Sequence, residues 1–332
     1  MKKCIVTGGA GFIGSNLVEK LIGLNYEINV IDNLSTGLRS NLKDFEKNIT
    51  FYEKDISDIE QLDDSIFVDV DYVFHLAGLA DIVPSIENPE NYFKSNVLGT
   101  LNVLQKSKKH KIKKFIYAAS ASCYGIPKNF PTSEKSEITT EYPYALTKNL
   151  GEQLVIHWEK VYEMPYISLR LFNVSGQRSR TTGAYGAMFG VFMAQKLKEK
   201  PLTIVGDGSQ TRDFIHVYDL VEAIFKVAKK TPEKQIYNLG SGKEISVNKI
   251  AELIGGEKIY IPKRPGEPDR SCADIGKIKA DLMWEPKMNI EDGVKTLLDT
   301  IDYWKEAPVW TPEKIQIATQ EWFKVLDKKN NK

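Results

Sequence analysis

The run Thr7-Gly8-Gly9-Ala10-Gly11-Phe12-Ile13-Gly14 constrains this chain more than any other stretch of it. Gly8, Gly11 and Gly14 stand three residues apart, directly after the apolar segment Lys3–Thr7 and at the head of a helical pattern of Phe12, Ile13, Leu17 and Leu21. A strand that turns through glycines into a helix leaves N–H donors and a positive dipole end free at the helix start. The missing side chains let the backbone approach a pyrophosphate. Such a triplet can also be only a tight strand-to-helix turn. Its flanks, and its place at the head of a longer alternation, favour a dinucleotide site.

That alternation runs through two-thirds of the sequence. Short apolar runs predict strands at Lys3–Thr7, Glu27–Asp32, Thr50–Glu53, Tyr72–Leu76, Lys114–Ala119, Tyr166–Leu171 and Gln235–Leu239, with helical spacing between them. The pattern predicts an α/β fold built on a Rossmann-type doubly wound parallel sheet covered on both faces. After Phe172 it breaks: Gly176–Gly183 reads as a polar loop, and Pro262–Asp269, with three prolines and one glycine, as an extended binding loop. Residues 1–174 plus about 206–242 are therefore expected to form the dinucleotide-binding domain. Residues about 175–205 plus 243–330 are expected to form a smaller, interleaved α/β substrate-binding domain.

Composition narrows the partners. The 332 residues carry 45 Lys+Arg against 44 Asp+Glu, a net charge of +1, which argues against nucleic-acid binding by bulk charge. Lys106–Lys114 holds six lysines and one histidine, but it ends a helical pattern, where basic groups complement the helix dipole. Cys4, Cys123 and Cys272 lie far apart and give neither metal spacing nor a disulfide framework, so no metal is expected and a reducing, cytoplasmic setting is. His75, in an apolar strand, reads as a hydrogen-bonded core histidine, and Cys123 as buried packing. The most apolar stretch, Ala184–Ala194, has 11 residues, too few to span a bilayer, and the N-terminus lacks a signal-peptide pattern.

Two further clusters carry chemistry. Asp32 ends the second predicted strand 18 residues after Gly14, where a carboxylate can accept from an adenosine ribose and repel a 2′-phosphate. This favours NAD over NADP, although Asp32 could instead serve the turn Asp32-Asn33-Leu34-Ser35, and Arg39 nearby could hold a phosphate. Tyr144 and Lys148 stand four apart, on one face of a predicted helix. An ammonium beside a phenol favours the phenolate, which makes tyrosine a usable general base. Ser120, in the serine-rich strand end Ala119-Ser120-Ala121-Ser122, would face the crevice where ligands bind in open sheets.

With His75-Leu76-Ala77-Gly78 and Asn96 added, these motifs resemble the extended short-chain dehydrogenase/reductase superfamily. Arg170-Leu171-Phe172-Asn173, Gly206-Asp207-Gly208 with Thr211-Arg212-Asp213-Phe214, and Arg264-Pro265-Gly266-Glu267 are similar to the nucleotide-sugar 4-epimerases, such as those acting on UDP-glucose or UDP-N-acetylglucosamine. The resemblance, from residue 3 to about residue 300, implies roles residue by residue. Gly8, Gly11 and Gly14, with Phe12 and Ile13, would hold the NAD pyrophosphate. Asp32 and Asn33 would meet the adenosine ribose, and Asp55 and Ile56 the adenine. Leu76, Ala77, Gly78 and Asn96 would line the cofactor, and Lys148 would reach the nicotinamide ribose. Ser120, Ser122 and Tyr144 would hold the reacting sugar hydroxyl. Asn173, Arg212 and Arg264 would grip the diphosphate, and Glu267 the nucleoside ribose. A homodimer through the helices of Asn91–Lys106 and Tyr144–Tyr162 is also implied.

The two residues directly after Ser120 narrow the reaction. Related 4,6-dehydratases carry an Asp-Glu pair after this position and decarboxylases a glutamate two positions on, whereas this chain has Ala121 and Ser122. Epimerisation needs one base and a hydride acceptor. Ser271 stands where some epimerases carry a tyrosine against the sugar, so a 2-acetamido group would fit, unless Ser271 only faces solvent. Val205 replaces the aromatic often set against uracil, which leaves dTDP- or GDP-sugars open. Arg178 and Arg180 could meet a uronic acid carboxylate or simply be solvated. The alternatives are a dehydratase, decarboxylase or uronic-acid epimerase of the same fold, or a non-catalytic dinucleotide-binding regulator, which would have no need of a base.

Overall fold

Strands β1 (Lys3–Thr7), β2 (Glu27–Asp32), β3 (Ile49–Glu53), β4 (Tyr72–His75), β5 (Lys114–Ser120), β6 (Tyr166–Leu171) and β7 (Gln235–Leu239) form one sheet in a computed structural model that describes residues 2–179, 188–230 and 234–330. The order is β7-β6-β5-β4-β1-β2-β3, and every neighbouring pair is parallel. This is the doubly wound sheet that the alternation predicts. The order reverses between β1 and β4, where the helices leave on opposite faces and open a crevice at the strands' carboxyl ends. Three strand ends differ by one residue from expectation. Ile49 pairs with Ile28 and Ser120 with Leu171, so both join the ladder, while β4 stops at His75.

Side-chain alternation fills both faces. Cys4 and Val6 of β1 enter one apolar cluster with Leu17, Val30, Ile224 and Trp284. Ile5 enters the other, with Ile31, Val73, Phe115 and Val155. A third cluster, around Phe192, Ile204, Phe214, Ile250 and Trp304, lies among residues 189–307. Its Leu202 and Ile204 belong to the strand Leu202–Val205, which pairs in parallel with Lys258–Ile261. The stretch expected to be one helix over 91–106 is instead Pro89–Tyr92, a wider π turn at Phe93–Leu98, and Gly99–Lys109. The lysine-rich run closes that last helix, where Lys106, Lys109 and His110 converge on Asp64.

The helix Pro143–Tyr162 brings Tyr144 and Lys148 to the sheet. Proline in its first turn costs no hydrogen bond there. Its inner face is Ala145, Lys148, Gly151, Glu152 and Val155. A Cβ on Gly151 would stand 2.1 Å from Tyr117 Oη, so only glycine lets the helix lie this close to β5. Tyr117 Oη donates to the Lys148 carbonyl at 3.2 Å.

Beneath this helix lies a buried ion pair. Arg170 Nη2 meets Glu152 Oε1 at 2.6 Å, with side-chain exposures of 5% and 1%. Ser168 Oγ donates to Glu152 Oε2 at 2.7 Å, and Arg170 Nη1 donates to Tyr124 Oη at 2.9 Å. Tyr124 Oη donates in turn to Asn238 Oδ1 at 2.7 Å, which ties the helix to β6 and β7. Such a pair holds only while both partners are present. Glu152→Ala leaves the Arg170 charge buried alone and is expected to cost about 3–5 kcal/mol of stability in urea unfolding, whereas a loss under about 1 kcal/mol would contradict this role.

Candidate active site

A cleft of about 960 Å³ runs along the carboxyl ends of the strands. At one end it is floored by the glycine turn. Gly8 adopts a φ of +70°, and a Cβ there would lie 2.7 Å from the Ala77 amide nitrogen. A Cβ on Gly14 would lie 2.1 Å from the Gly8 carbonyl oxygen. Side chains at either position would push the turn off the sheet, so the bare cradle fits a pyrophosphate-bearing cofactor. Phe12, Ile13 and Gly11 line the same floor.

Asp32 takes the turn role that the sequence offered it, at the edge of the cleft. Its Oδ2 accepts from Ala10 N at 2.9 Å and its Oδ1 from Leu34 N at 2.8 Å, so it pins the glycine turn, and it also lines the cleft. Burial raises its pKa, while those two N–H donors lower it. Asn33 Nδ2 donates to Asp55 Oδ2 at 3.1 Å, and Ile56 lines the wall beside them. Arg39 does not reach the cleft. It pairs with Glu46 at 3.2 Å and stacks on Phe51, 3.8 Å from the ring centroid. The Arg39 guanidinium is thus held on Phe51 and Glu46.

The middle of the cleft holds Ser120, Ser122, Tyr144 and Lys148. Ser122 Oγ donates to Ser120 Oγ at 2.8 Å, and the Tyr144 hydroxyl hydrogen-bonds with both serines. The electrostatics differ from the sequence expectation. Burial raises the Tyr144 pKa above the ordinary phenol value, the two serine hydroxyls oppose this, and the nearby Asp81 carboxylate adds to it. Lys148 is itself buried, which lowers its pKa to about 8 against the opposing pull of Glu152. Its Nζ lies 4.9 Å from the Tyr117 ring centroid and beside Gly78, where a Cβ would come within 3.6 Å. In the chain by itself, therefore, burial outweighs the two serine hydroxyls at the phenol.

Leu76, Ala77 and Gly78 line the cleft, and Asn96 does not. Asn96 is 1% exposed and stands behind them. Its Oδ1 accepts from Leu79 N at 2.7 Å, and its Nδ2 donates to Leu79 O and Thr147 Oγ1, each at 3.0 Å. Its side chain shapes the wall from behind. His75 is a neutral core histidine between Thr7 Oγ1 at 2.8 Å and Thr100 Oγ1 at 3.0 Å, its pKa lowered to about 3 by burial and by Lys148. Cys123 is buried, which pushes its thiol up to about 12.

The far end of the cleft is cationic. Glu267 holds Arg264 Nη1 at 2.9 Å and Arg212 Nη2 at 3.6 Å. Asn173, Val205 and Ser271 line the same space. Arg178 also lines the cleft, but it is paired with Glu19 and sits over Phe45, 5.4 Å from the ring centroid. Arg180 lies outside the described residues.

Sequence reasoning missed several lining groups. Asp81 follows β4 with a φ of +82°, a conformation rare for a side-chain-bearing residue. Tyr303 Oη donates to Asn41 Oδ1 at 3.0 Å, and Asn41 Nδ2 donates to Ala10 O at 2.9 Å, which links residue 303 to the glycine turn. Trp322 lines the cleft beyond the region that carried any motif. Contacts across such sequence distances leave no local signal. Among the described residues no acidic, His or Cys cluster could hold a metal, and no helix is long and apolar enough to cross a membrane.

Residues 4–240 match the family described as "NAD dependent epimerase/dehydratase family". A "Putative UDP-glucose 4-epimerase" of Methanocaldococcus jannaschii is 38% identical over 303 residues, covering 89% of this chain and 97% of that protein. The UDP-glucose 4-epimerase of Thermotoga maritima, solved with UDP-glucose, is similar at a TM-score of 0.85 and 35% identity, covering 92% of this chain and 99% of that one. The UDP-N-acetylglucosamine 4-epimerase of Methanobrevibacter ruminantium, in complex with UDP-N-acetylmuramic acid, has a TM-score of 0.84 and 32% identity, covering 91% and 97%. The chain belongs to the NAD dependent epimerase/dehydratase family, within the extended short-chain dehydrogenase/reductase superfamily, and is an enzyme whose cofactor is NAD.

Proposed function

We propose that this enzyme inverts the 4-hydroxyl of a nucleotide-bound sugar through a transient 4-keto form, on UDP-GlcNAc/UDP-GalNAc and/or UDP-Glc/UDP-Gal. The observation that carries this reading is the hydroxyl cluster Ser120–Ser122–Tyr144 at the end of β5, with Ala121 and Ser122 where elimination or decarboxylation would call for a carboxylate. A site whose strand end offers hydroxyls and no carboxylate suits a reversible oxidation at one carbon. A merely regulatory NAD-binding protein would have no use for a base.

Tyr144, as phenolate, takes the proton of the sugar 4-hydroxyl at its Oη, and Ser120 fixes that hydroxyl by hydrogen bonding. NAD supplies, when bound, the acceptor of the C4 hydride and later its donor. Lys148, with its pKa near 8, is mostly protonated at neutral pH, and its positive charge favours the phenolate form that takes the proton. Ser120 and Ser122 favour the same phenolate, in keeping with their lowering of the Tyr144 pKa. After the keto sugar turns over, Tyr144 returns the proton as hydride reaches the opposite face. Atoms and charge balance, and no net redox change remains. Arg212, Arg264 and Asn173 hold the diphosphate throughout, and Glu267 the nucleoside ribose, so the nucleotide stays fixed while the sugar turns.

A small residue at Ser271 leaves space for a 2-acetamido group, and the pairing of Arg178 with Glu19 leaves it less able to recognise a uronic acid. On this reading residues 1–174 and 206–242 serve the cofactor, and 175–205 and 243–330 the sugar nucleotide. Exposed Phe93, Leu98, Leu146, Val161 and Tyr162 on the helical segments around 93–98 and 143–162 support pairing of two copies there. Three buried free cysteines suit a reducing compartment such as the cytoplasm.

Incubation with UDP-, dTDP- and GDP-sugars, followed by NMR, is expected to give 4-epimers of a UDP-sugar. A stable 4-keto-6-deoxy product or loss of carbon dioxide would overturn the assignment. Tyr144→Phe should lower kcat on the order of 10²–10⁴-fold with UDP affinity unchanged, and near wild-type turnover would rule out Tyr144 as the base. Ser271→Tyr should suppress turnover of UDP-GlcNAc more than that of UDP-Glc; equal effects on both would remove Ser271 as a size gate.

A further inference from the structure

The helix Gln320–Asn330 lies outside both the family match and the stretch that carried motifs, yet it touches the cleft. Trp322, 2% exposed, makes two contacts with the turn that carries Arg264. Its Nε1 donates to the Pro265 carbonyl at 2.8 Å. Its ring lies under the Arg264 guanidinium, 5.2 Å from centroid to Cζ. One helical turn on, Leu326 packs over Gly266, where a Cβ would stand 3.2 Å from Leu326 Cδ1. Gly266 also has a φ of +76°, so the turn requires glycine for its backbone as well as for this contact. Trp322 and Leu326 are also buried against Val83, with Ile82 and Ile86 packed alongside. That apolar patch belongs to the short helix directly after Asp81.

We propose that Trp322 is a positioning residue for substrate binding, and that the helix Gln320–Asn330 is a strap that seats the Arg264–Glu267 turn at the anion end of the cleft. A long flexible arginine gains affinity for an anion when its side chain is ordered before binding. Trp322 gives the guanidinium a flat aromatic seat, and its N–H fixes the backbone one residue on. Glu267 holds the same guanidinium from within the turn. Arg264 is thus presented from three directions: ring, backbone anchor and carboxylate. Because Val83 and its neighbours share the strap, the turn bearing Arg264 and the wall beginning at Asp81 are held as one unit. The ligand class is a nucleoside diphosphate, and this rests on reading Arg264 as a diphosphate ligand.

The test compares Trp322→Ala, Trp322→Phe, Arg264→Ala and the Trp322→Ala/Arg264→Ala double variant in the full-length, NAD-loaded enzyme. UDP and uridine are the binding probes. Trp322→Ala is expected to weaken UDP binding and raise KM on the order of tenfold, with uridine affinity, bound NAD and kcat little changed. Trp322→Phe keeps a ring but loses the N–H, so it should fall between the two and guards against a folding failure of the alanine variant. In the double variant the two losses should not add, because they remove one interaction. The strap is overturned if Arg264→Ala weakens UDP binding while both Trp322 variants stay within about twofold of wild type, or if the losses add in full. If instead Arg264→Ala leaves UDP binding intact, the diphosphate reading of Arg264 fails, and the strap's function with it.

Discussion

Two places where backbone must come close to its neighbour govern the cleft. At Gly14 a single added carbon would collide with the Gly8 carbonyl, and at Gly151 it would collide with the Tyr117 hydroxyl. The first contact sets the floor on which a pyrophosphate can rest. The second sets how near the helix bearing Tyr144 and Lys148 lies to the end of β5. Ser120 ends that strand, so the distance between hydroxyl and phenol depends on the same approach. The Glu152–Arg170 pair then holds the helix to β6 from below, one turn after Lys148.

Charge in this enzyme is local rather than global. A net charge of +1 attracts no anion in particular. The cation that matters sits at one end of the cleft, where Glu267 holds two arginines in readiness. At the centre, burial has opposite effects on the two titratable groups. It raises the Tyr144 pKa and lowers that of Lys148, because in each case the charged form loses solvation. On the proposed reading, the phenolate form of Tyr144 depends on what enters the cleft and on the serine hydroxyls that meet the phenol.

Much of this was legible in the sequence for a physical reason. A parallel strand buried on both faces reads as a short apolar run, so all seven strands of the sheet could be placed to within a residue. Gly8, Asp32, Ser120, Tyr144 and Lys148 sit at strand ends or helix starts, where spacing in the chain translates directly into position. Asn96 shows the limit: its neighbourhood was right, but a π turn and three hydrogen bonds put its side chain behind the wall. Tyr303 with Asn41, and Trp322 with Pro265, were invisible because their partners are distant in sequence and neither residue type announces a role. Arg39 was misleading for the converse reason, since sequence proximity to Asp32 did not reveal the stacking on Phe51 that turns it away.

The central claim is that hydride leaves C4 of the sugar and returns to C4. A UDP-sugar carrying deuterium at C4, incubated with the purified enzyme without added NAD and followed by NMR and mass spectrometry, tests it most directly. The label should be found at C4 of both epimers, with no exchange into solvent. Deuterium appearing at C6, as an elimination route would require, or lost to water, would contradict it.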